Sequence, residues 1–241
     1  MVLNIQTGAA TYSPVAAYNG SDSLKFKVND GKCDSAEATV SITVQSGNEP
    51  PLCIACVACA LNFANDPNAY LISLNGSNAC TILDGSQSSD PEGGALGFRW
   101  FVQPNPVPFA GGPVATNCFD VGCHVVTMSA TDSAGATCTT NINLCVISAC
   151  DAIGKCIGLV EELAITRKNK GSLVTTLKAA CVHFDRGDFN PALKELSAFQ
   201  NKVAAQVGKN DPAAAEALIE CAQKILDAID CAAQLALQSE Q

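Results

Sequence analysis

Two residue types could carry chemistry in this 241-residue chain: carboxylates grouped in polar turns, and an even set of 14 cysteines. The stretch from Asp84 to Gly93 places Asp84, Asp90 and Glu92 among Gly, Ser and Pro, and Thr131-Asp132-Ser133-Ala134-Gly135 is a second acidic turn. Calcium prefers about six to eight hard oxygens, which such turns can supply. The competing reading is that these Asp side chains cap turn N–H groups, and Asp22 and Asp30 admit the same two readings. Cys53, Cys56 and Cys59 form C-x-x-C-x-x-C. An iron–sulfur run would need a fourth Cys three residues on, followed by Pro, and Phe63 stands there. Zinc would need a second pair, for which Cys118 and Cys123 are one choice. The rival reading is a disulfide framework in an oxidising compartment. Its candidates are Cys53, Cys56, Cys59, Cys80, Cys118, Cys123, Cys138, Cys145, Cys150, Cys181, Cys221 and Cys231, with connectivity left open.

Nucleophilic catalysis finds little to work with. His124 sits at a strand start and reads as structural or surface. His183 lies two residues from Cys181, about 200° away around a helix, so the two make no local pair. No Gly-x-Ser-x-Gly elbow, His-Glu-x-x-His or phosphate loop occurs in the sequence. The expectation is a protein that is not an enzyme.

The net charge of −9, with 14 Lys and Arg against 23 Asp and Glu, argues against nucleic acid and anionic membrane surfaces. No run of about 18 apolar residues is present to span a bilayer. Met1-Val2-Leu3-Asn4-Ile5-Gln6 lacks the basic and apolar regions of a signal peptide. Because the cysteines imply secretion, a signal is expected upstream, and the chain reads as a piece of a longer secreted or cell-surface polypeptide.

The elements that must position these residues change period along the chain. In residues 1–47, Leu24, Phe26 and Val28 alternate with Lys25 and Lys27, Asn29-Asp30-Gly31 is a turn, and Val40, Ile42 and Val44 alternate with Thr39, Ser41 and Thr43. This predicts three strands. Asn48-Glu49-Pro50-Pro51 is a stiff linker. In residues 48–149, Tyr70 to Leu74 and Ala79 to Leu83 read as strands. Leu96, Phe98 and Trp100 share one strand face, with the single Trp as core anchor. Further strands follow from Cys123 to Met128 and from Cys138 to Ile147. From residue 150 the period becomes 3.6. Helices are expected over Lys155 to Thr166, from Ser172 through Phe184, from the Asn190-Pro191 start to Val207, and from Asp211-Pro212 to about Leu237. Short connections predict an antiparallel four-helix bundle.

Three resemblances rest on these residues. Tyr12-Ser13-Pro14, Gly20-Ser21-Asp22-Ser23-Leu24, Val28-Asn29-Asp30-Gly31 and the alternating Val40 to Val44 end are similar to the final half of cadherin-like repeats of bacterial surface proteins. Asp84 to Gly93, Phe98-Arg99-Trp100, Gly122 to Met128 and Thr131 to Thr137 resemble the PKD repeat, an immunoglobulin-like sandwich. The stretch from Pro51 to Cys80 departs from that pattern. Ser172-Leu173, Leu177 to Ala180, Arg186-Gly187-Asp188 and the Ala192 to Val203 run are similar to the FIMAH helical module. The PKD resemblance implies calcium at Asn48, Asp90, Glu92 and Asp132. The expected fold is therefore multidomain β plus α: a truncated cadherin-like sandwich over 1–47, a disulfide-bonded PKD-like sandwich over 48–149, and a FIMAH-like bundle over 150–241. The expected function is an extracellular structural, adhesion or spacer segment meeting a protein or polysaccharide partner outside the cell, with no cofactor apart from calcium. The alternative is the accessory tail of a secreted hydrolase; an exposed Trp100 would support polymer binding there.

Overall fold

The structure, a computed structural model, describes residues 2–4, 9–15, 18–45 and 47–239. Met1, Ile5 and Gln6 of the N-terminal stretch lie outside the described residues. The chain divides into two compact units, Met1–Glu49 and Pro50–Gln241.

In the first unit, β1 (Val2–Asn4) pairs antiparallel with β2 (Ala9–Thr11), and β3 (Gly20–Phe26) pairs antiparallel with β4 (Ala38–Val44). Four short strands in two separate pairs replace the three expected. The turn after β3 forms where Asn-Asp-Gly predicts it. Gly31 takes φ +92°, and Asp30 Oδ1 accepts the N–H groups of Lys32 at 2.8 Å and Cys33 at 3.0 Å. Among the described residues of this unit from Thr11 onward, none is buried.

The second unit opens with β5 (Cys56–Val57), β6 (Leu61–Asn62), β7 (Ala69–Ser73) and β8 (Asn78–Asp84). It continues through β9 (Gly97–Val102), β10 (Ala110–Gly111), β11 (Val114–Asp120), β12 (Gly122–Thr131) and β13 (Thr137–Ser148). One sheet has the order β10-β9-β12-β13-β7-β6 and the other β11-β8-β5. Neighbours are antiparallel except β13 and β7, which run parallel from Leu144 opposite Ala69 to Ser148 opposite Ser73. Four helices follow: α1 (Ala149–Glu162), α2 (Arg167–Asp185), α3 (Phe189–Gln206) and α4 (Pro212–Ser239).

Two cores result, and β7 and β13 contribute to both. Leu71, Leu144 and Val146 join Leu83, Trp100, Phe119, Val126 and Met128 between the two sheets. Tyr70, Ile72, Cys145 and Ile147, the alternate residues of the same strands, join the helix stripes of Ile153, Leu177, Phe199 and Ile225. Strands covered on both faces read as unbroken apolar runs, and Tyr70-Leu71-Ile72 and Leu144-Cys145-Val146-Ile147 are such runs. The boundary expected at 149/150 is thus a change of period, not a division of the core: the helices and the six-stranded sheet form one unit.

α1 begins six residues before the expected start. Ser148 ends β13 and caps α1, its side chain accepting the Asp151 N–H at 3.0 Å while Asp151 Oδ2 accepts the Ser148 N–H at 3.1 Å. α2 begins at Arg167 under a Thr166 cap, not at Ser172. α3 begins at Phe189, one residue ahead of the expected Asn190 cap. Asp211 accepts the Ala214 N–H at 3.0 Å at the start of α4, as Asp-Pro predicts.

Trp100 is fully buried, and its Nε1–H donates to Gly112 O at 3.0 Å. Gly85 faces this ring. A Cβ there would overlap Met128 Sδ and press on Trp100 Cζ2 at 3.3 Å. Gly85→Ala is therefore expected to lower stability by about 1–3 kcal/mol, read from denaturant unfolding with the disulfides intact. An unchanged midpoint would show that Met128 moves aside freely.

Candidate functional site

The acidic turns use their carboxylates largely for the backbone. Asp84 Oδ1 accepts the Ser86 N–H at 2.8 Å, and Asp132 Oδ1 accepts those of Ala134 at 2.8 Å and Ala136 at 2.9 Å. Asp90 Oδ2 accepts the Gly94 N–H at 2.6 Å, whereas Asp90 Oδ1 is buried with no hydrogen-bond partner. Gly94 lies between the two turns, within reach of both the Asp90 carboxylate and Ser133 Oγ. Asn48 belongs to the first unit; Asp90, Glu92 and Asp132 belong to the second. Among the described residues, no three of His, Cys, Asp and Glu gather as a group able to hold a metal ion. Of the four residues implied for calcium, Asp90 has a buried oxygen, Oδ1, without a hydrogen-bond donor. In the first unit, Asp22 accepts the Tyr12 hydroxyl at 2.7 Å and the Ser23 N–H at 2.7 Å. The hydrogen bond to Asp22 pushes the Tyr12 hydroxyl up to about 12.

Sulfur does more than the carboxylates to organise the second unit. The bridges are Cys53–Cys138, Cys59–Cys231, Cys80–Cys118, Cys123–Cys145 and Cys156–Cys221. The metal-thiolate reading falls here, since Cys53 and Cys59 are bridged elsewhere and Cys118 and Cys123 pair with Cys80 and Cys145. Three of the disulfide candidates, Cys56, Cys150 and Cys181, carry free thiols, as does Cys33. Cys56 is exposed on the short β5, where it stands opposite Asp84 of β8. Cys156 was absent from the expected set. Its position three residues after Ile153 and four before Val160, on the buried face of α1, was the available signal.

The junction of sheet and helices holds a polar cluster that motif reading missed. Lys155 Nζ of α1 donates to Asp66 Oδ2 at 2.9 Å and to the Tyr70 hydroxyl at 3.2 Å, while that hydroxyl donates to Asp66 Oδ2 at 2.6 Å. The ammonium also lies 4.8 Å from the Tyr70 ring centroid and 5.5 Å from that of Phe63. Donation from Tyr70 and then Lys155 holds the Asp66 carboxyl far below the usual carboxylate range, and Asp66 and Tyr70 raise the Lys155 ammonium. Lys, Asp and Tyr in one cluster can do acid–base work in other settings; here each is tied to the others across the β6–β7 and α1 contact.

A groove of about 800 Å³ lies between the end of β7, the start of β8 and helices α3 and α4. Its floor is apolar, and its polar groups have partners. Asn75 accepts four hydrogen bonds from Ser73, Ser77 and Asn78, Asp227 accepts from Gln223 at 2.7 Å, and Asp230 accepts from Gln234 at 3.0 Å. Neither histidine lines it. His124 Nε2–H donates to Asp120 O at 2.8 Å, and His183 Nδ1 lies 3.7 Å from Asp188 Oδ2. Arg186-Gly187-Asp188 is the turn between α2 and α3, with Gly187 at φ +77°.

Residues 1–45 match the family model of the cadherin-like domain, and residues 156–227 match that of the FIMAH domain. No curated protein matches the chain. Among solved structures, the chain is similar over 42% of its length to a nucleoside hydrolase-related hypothetical protein from Saccharophagus degradans that is associated with carbohydrate metabolism. The identity is 20%, the TM-score is 0.28, and the chain spans 26% of that protein. The cadherin-like and FIMAH matches, together with the disulfides, are consistent with an extracellular protein of adhesion type. Among the described residues no helix is long and apolar enough to cross a membrane.

The Asp66 cluster has a defined pH signature. Folding depresses this carboxyl, so the stability it contributes is fully present above about pH 4, near the unfolded value. It is lost as pH falls towards the folded value. The melting temperature of the native chain should drop more steeply below pH 4 than that of Asp66→Asn, which starts lower at neutral pH. Parallel pH profiles for the two proteins would contradict this role.

Proposed function

We propose that this chain is a non-catalytic, load-bearing structural segment of an extracellular protein, in which a PKD-like two-sheet sandwich and a FIMAH-like four-helix bundle act as one stapled body. The shared Trp100 core between the two sheets supports the sandwich reading. Packing of α1 on α2, α2 on α3, α3 on α4 and α1 on α4 supports the bundle reading. Two features fit an extracellular setting with protein or polysaccharide partners: the cadherin-like match ahead of this body and the disulfides within it.

One observation carries the mechanical part. Cys59–Cys231 joins residues 172 positions apart. Tension applied between the Pro50 side and the end of α4 passes from Cys59 through sulfur to Cys231. The intervening chain, with both cores, is left out of the load path. A covalent bond does not unravel as a hydrogen-bonded strand does, so the body keeps its length under force. Burial of Trp100 removes the aromatic platform that the accessory-tail alternative would use to bind a polymer.

Calcium enters this reading at one place. Asp90 Oδ1, buried without a donor beside the Asp132–Ser133 turn, offers one hard oxygen, and backbone carbonyls and water would have to complete the shell.

Single-molecule pulling through handles at Pro50 and Ser239 tests the load path. The oxidised body should release only the short flanks outside the Cys59–Cys231 loop. After full reduction the release should grow by about 600 Å, at roughly 3.5 Å per extended residue; in Cys59→Ser/Cys231→Ser, where Cys53–Cys138 and Cys156–Cys221 still bypass most of the chain, it should grow by only about 80 Å. Equal lengths in both states would end the proposal. For calcium, a melting shift of the native chain in millimolar calcium that disappears in Asp90→Asn is expected; at 100 times Kd such binding adds about 2.7 kcal/mol. No shift, or the same shift in both proteins, removes calcium from the reading.

A further inference from the structure

The sheet-to-helix turn holds two thiols that the five bridges leave over. Cys150 is the second residue of α1, and Cys181 lies one turn before the end of α2. The two helices pack against each other, which sets Cys150 beside the last turn of α2, the turn that begins at Cys181. The Cys150 S–H also donates to Asp185 Oδ1 at 3.5 Å. Both cysteines are half-buried, so small reagents can reach them, in contrast to the fully buried Cys156 of the neighbouring bridge.

We propose that Cys150 and Cys181 form a redox modification site that closes as a sixth bridge by exchange with a low-molecular-weight disulfide such as oxidised glutathione. The thiolate of one cysteine attacks the small disulfide, forming a mixed disulfide and expelling one small thiolate. The second cysteine, as its thiolate, attacks the protein sulfur and expels the other. Two protein S–H bonds are lost and one S–S bond is formed. The reagent's S–S bond is reduced to two thiols, which take up the two protons.

The surroundings set the conditions of the step. Burial pushes both thiols up; at Cys150 the neighbouring Cys181 and the Asp185 carboxylate add to the rise, while at Cys181 the hydrogen bond with Cys150 works against it and the Asp185 and Asp151 carboxylates add to it, so thiolate is scarce at neutral pH. Closure is therefore slow near pH 7 and quickens as pH rises. Once closed, the bridge ties the first turn of α1 to the last turns of α2, beside the Ser148 cap where the sheet hands over to the helices.

The test uses the full chain carrying Cys33→Ser and Cys56→Ser, both at exposed positions, so that the pair supplies the remaining thiols. The protein is equilibrated at pH 8 with oxidised and reduced glutathione, alkylated in denaturant, digested and mapped by mass spectrometry. The expected result is a Cys150–Cys181 linked peptide and joint loss of alkylation at both residues, with the other five bridges unchanged. Oxidation should also raise the melting temperature, and Cys150→Ser/Cys181→Ser should show no oxidant-dependent rise. Two results would overturn the proposal: both residues still alkylated after oxidation, or each carrying its own glutathione with no link.

Discussion

A strand that becomes a helix without a connecting loop constrains everything in the second unit. Ser148 belongs to both β13 and the α1 cap, so α1 must leave from the sheet's own surface. The alternation of β13 then forces two cores: Leu144 and Val146 go to one face, Cys145 and Ile147 to the other. Neither face can be left to water there. At roughly 25 cal/mol per Å² of apolar area, exposing Tyr70, Ile72 and Cys145 together with the facing stripes of α1 and α4 would forfeit several side chains' worth of burial. The helices therefore form a lid on the six-stranded sheet, and the Lys155–Asp66–Tyr70 cluster supplies a polar fastening at the rim of that contact.

Much of this was legible, and the failures have physical causes. Helix stripes were plain where the period was uninterrupted: Leu196, Phe199 and Val203 of α3, and Leu218, Ala222 and Ile225 of α4, all fall in the core. The start of α1 was obscured because Gly154 and Gly158 weaken a helical pattern and because Ser148-x-x-Asp151 sits at the end of an apolar strand run. Gly171 hid the first turn of α2 in the same way. The segment boundary at 149/150 came from a true change of period, but period reports local structure and not which elements share a core. The unbroken runs Tyr70-Leu71-Ile72 and Leu144 to Ile147 carried the missing information, since a strand solvated on one face would alternate. The acidic turns were located correctly in sequence, yet residue types alone could not separate cation ligands from turn caps. That distinction depends on where the N–H groups of Ala134, Ala136 and Gly94 point.

Sulfur divides its labour by loop length. Cys80 faces Cys118 directly across β8 and β11, and Cys123 faces Cys145 across β12 and β13. These bridges pin register, because a one-residue slip would turn the sulfurs to opposite faces. Cys53–Cys138, Cys59–Cys231 and Cys156–Cys221 span 85, 172 and 65 residues. They join elements distant in sequence, and constraining the unfolded chain in this way contributes about 2–5 kcal/mol per bridge on a loop-entropy argument. A chain with few aromatics to fill two cores gains from such cross-links. The same arrangement explains why connectivity could not be read from spacing: Cys53 and Cys59 lie six residues apart, yet one is bound to the last strand of the sheet and the other to the last helix. The two partners locate the seam between β-sheet and helices more sharply than any composition change along the chain does.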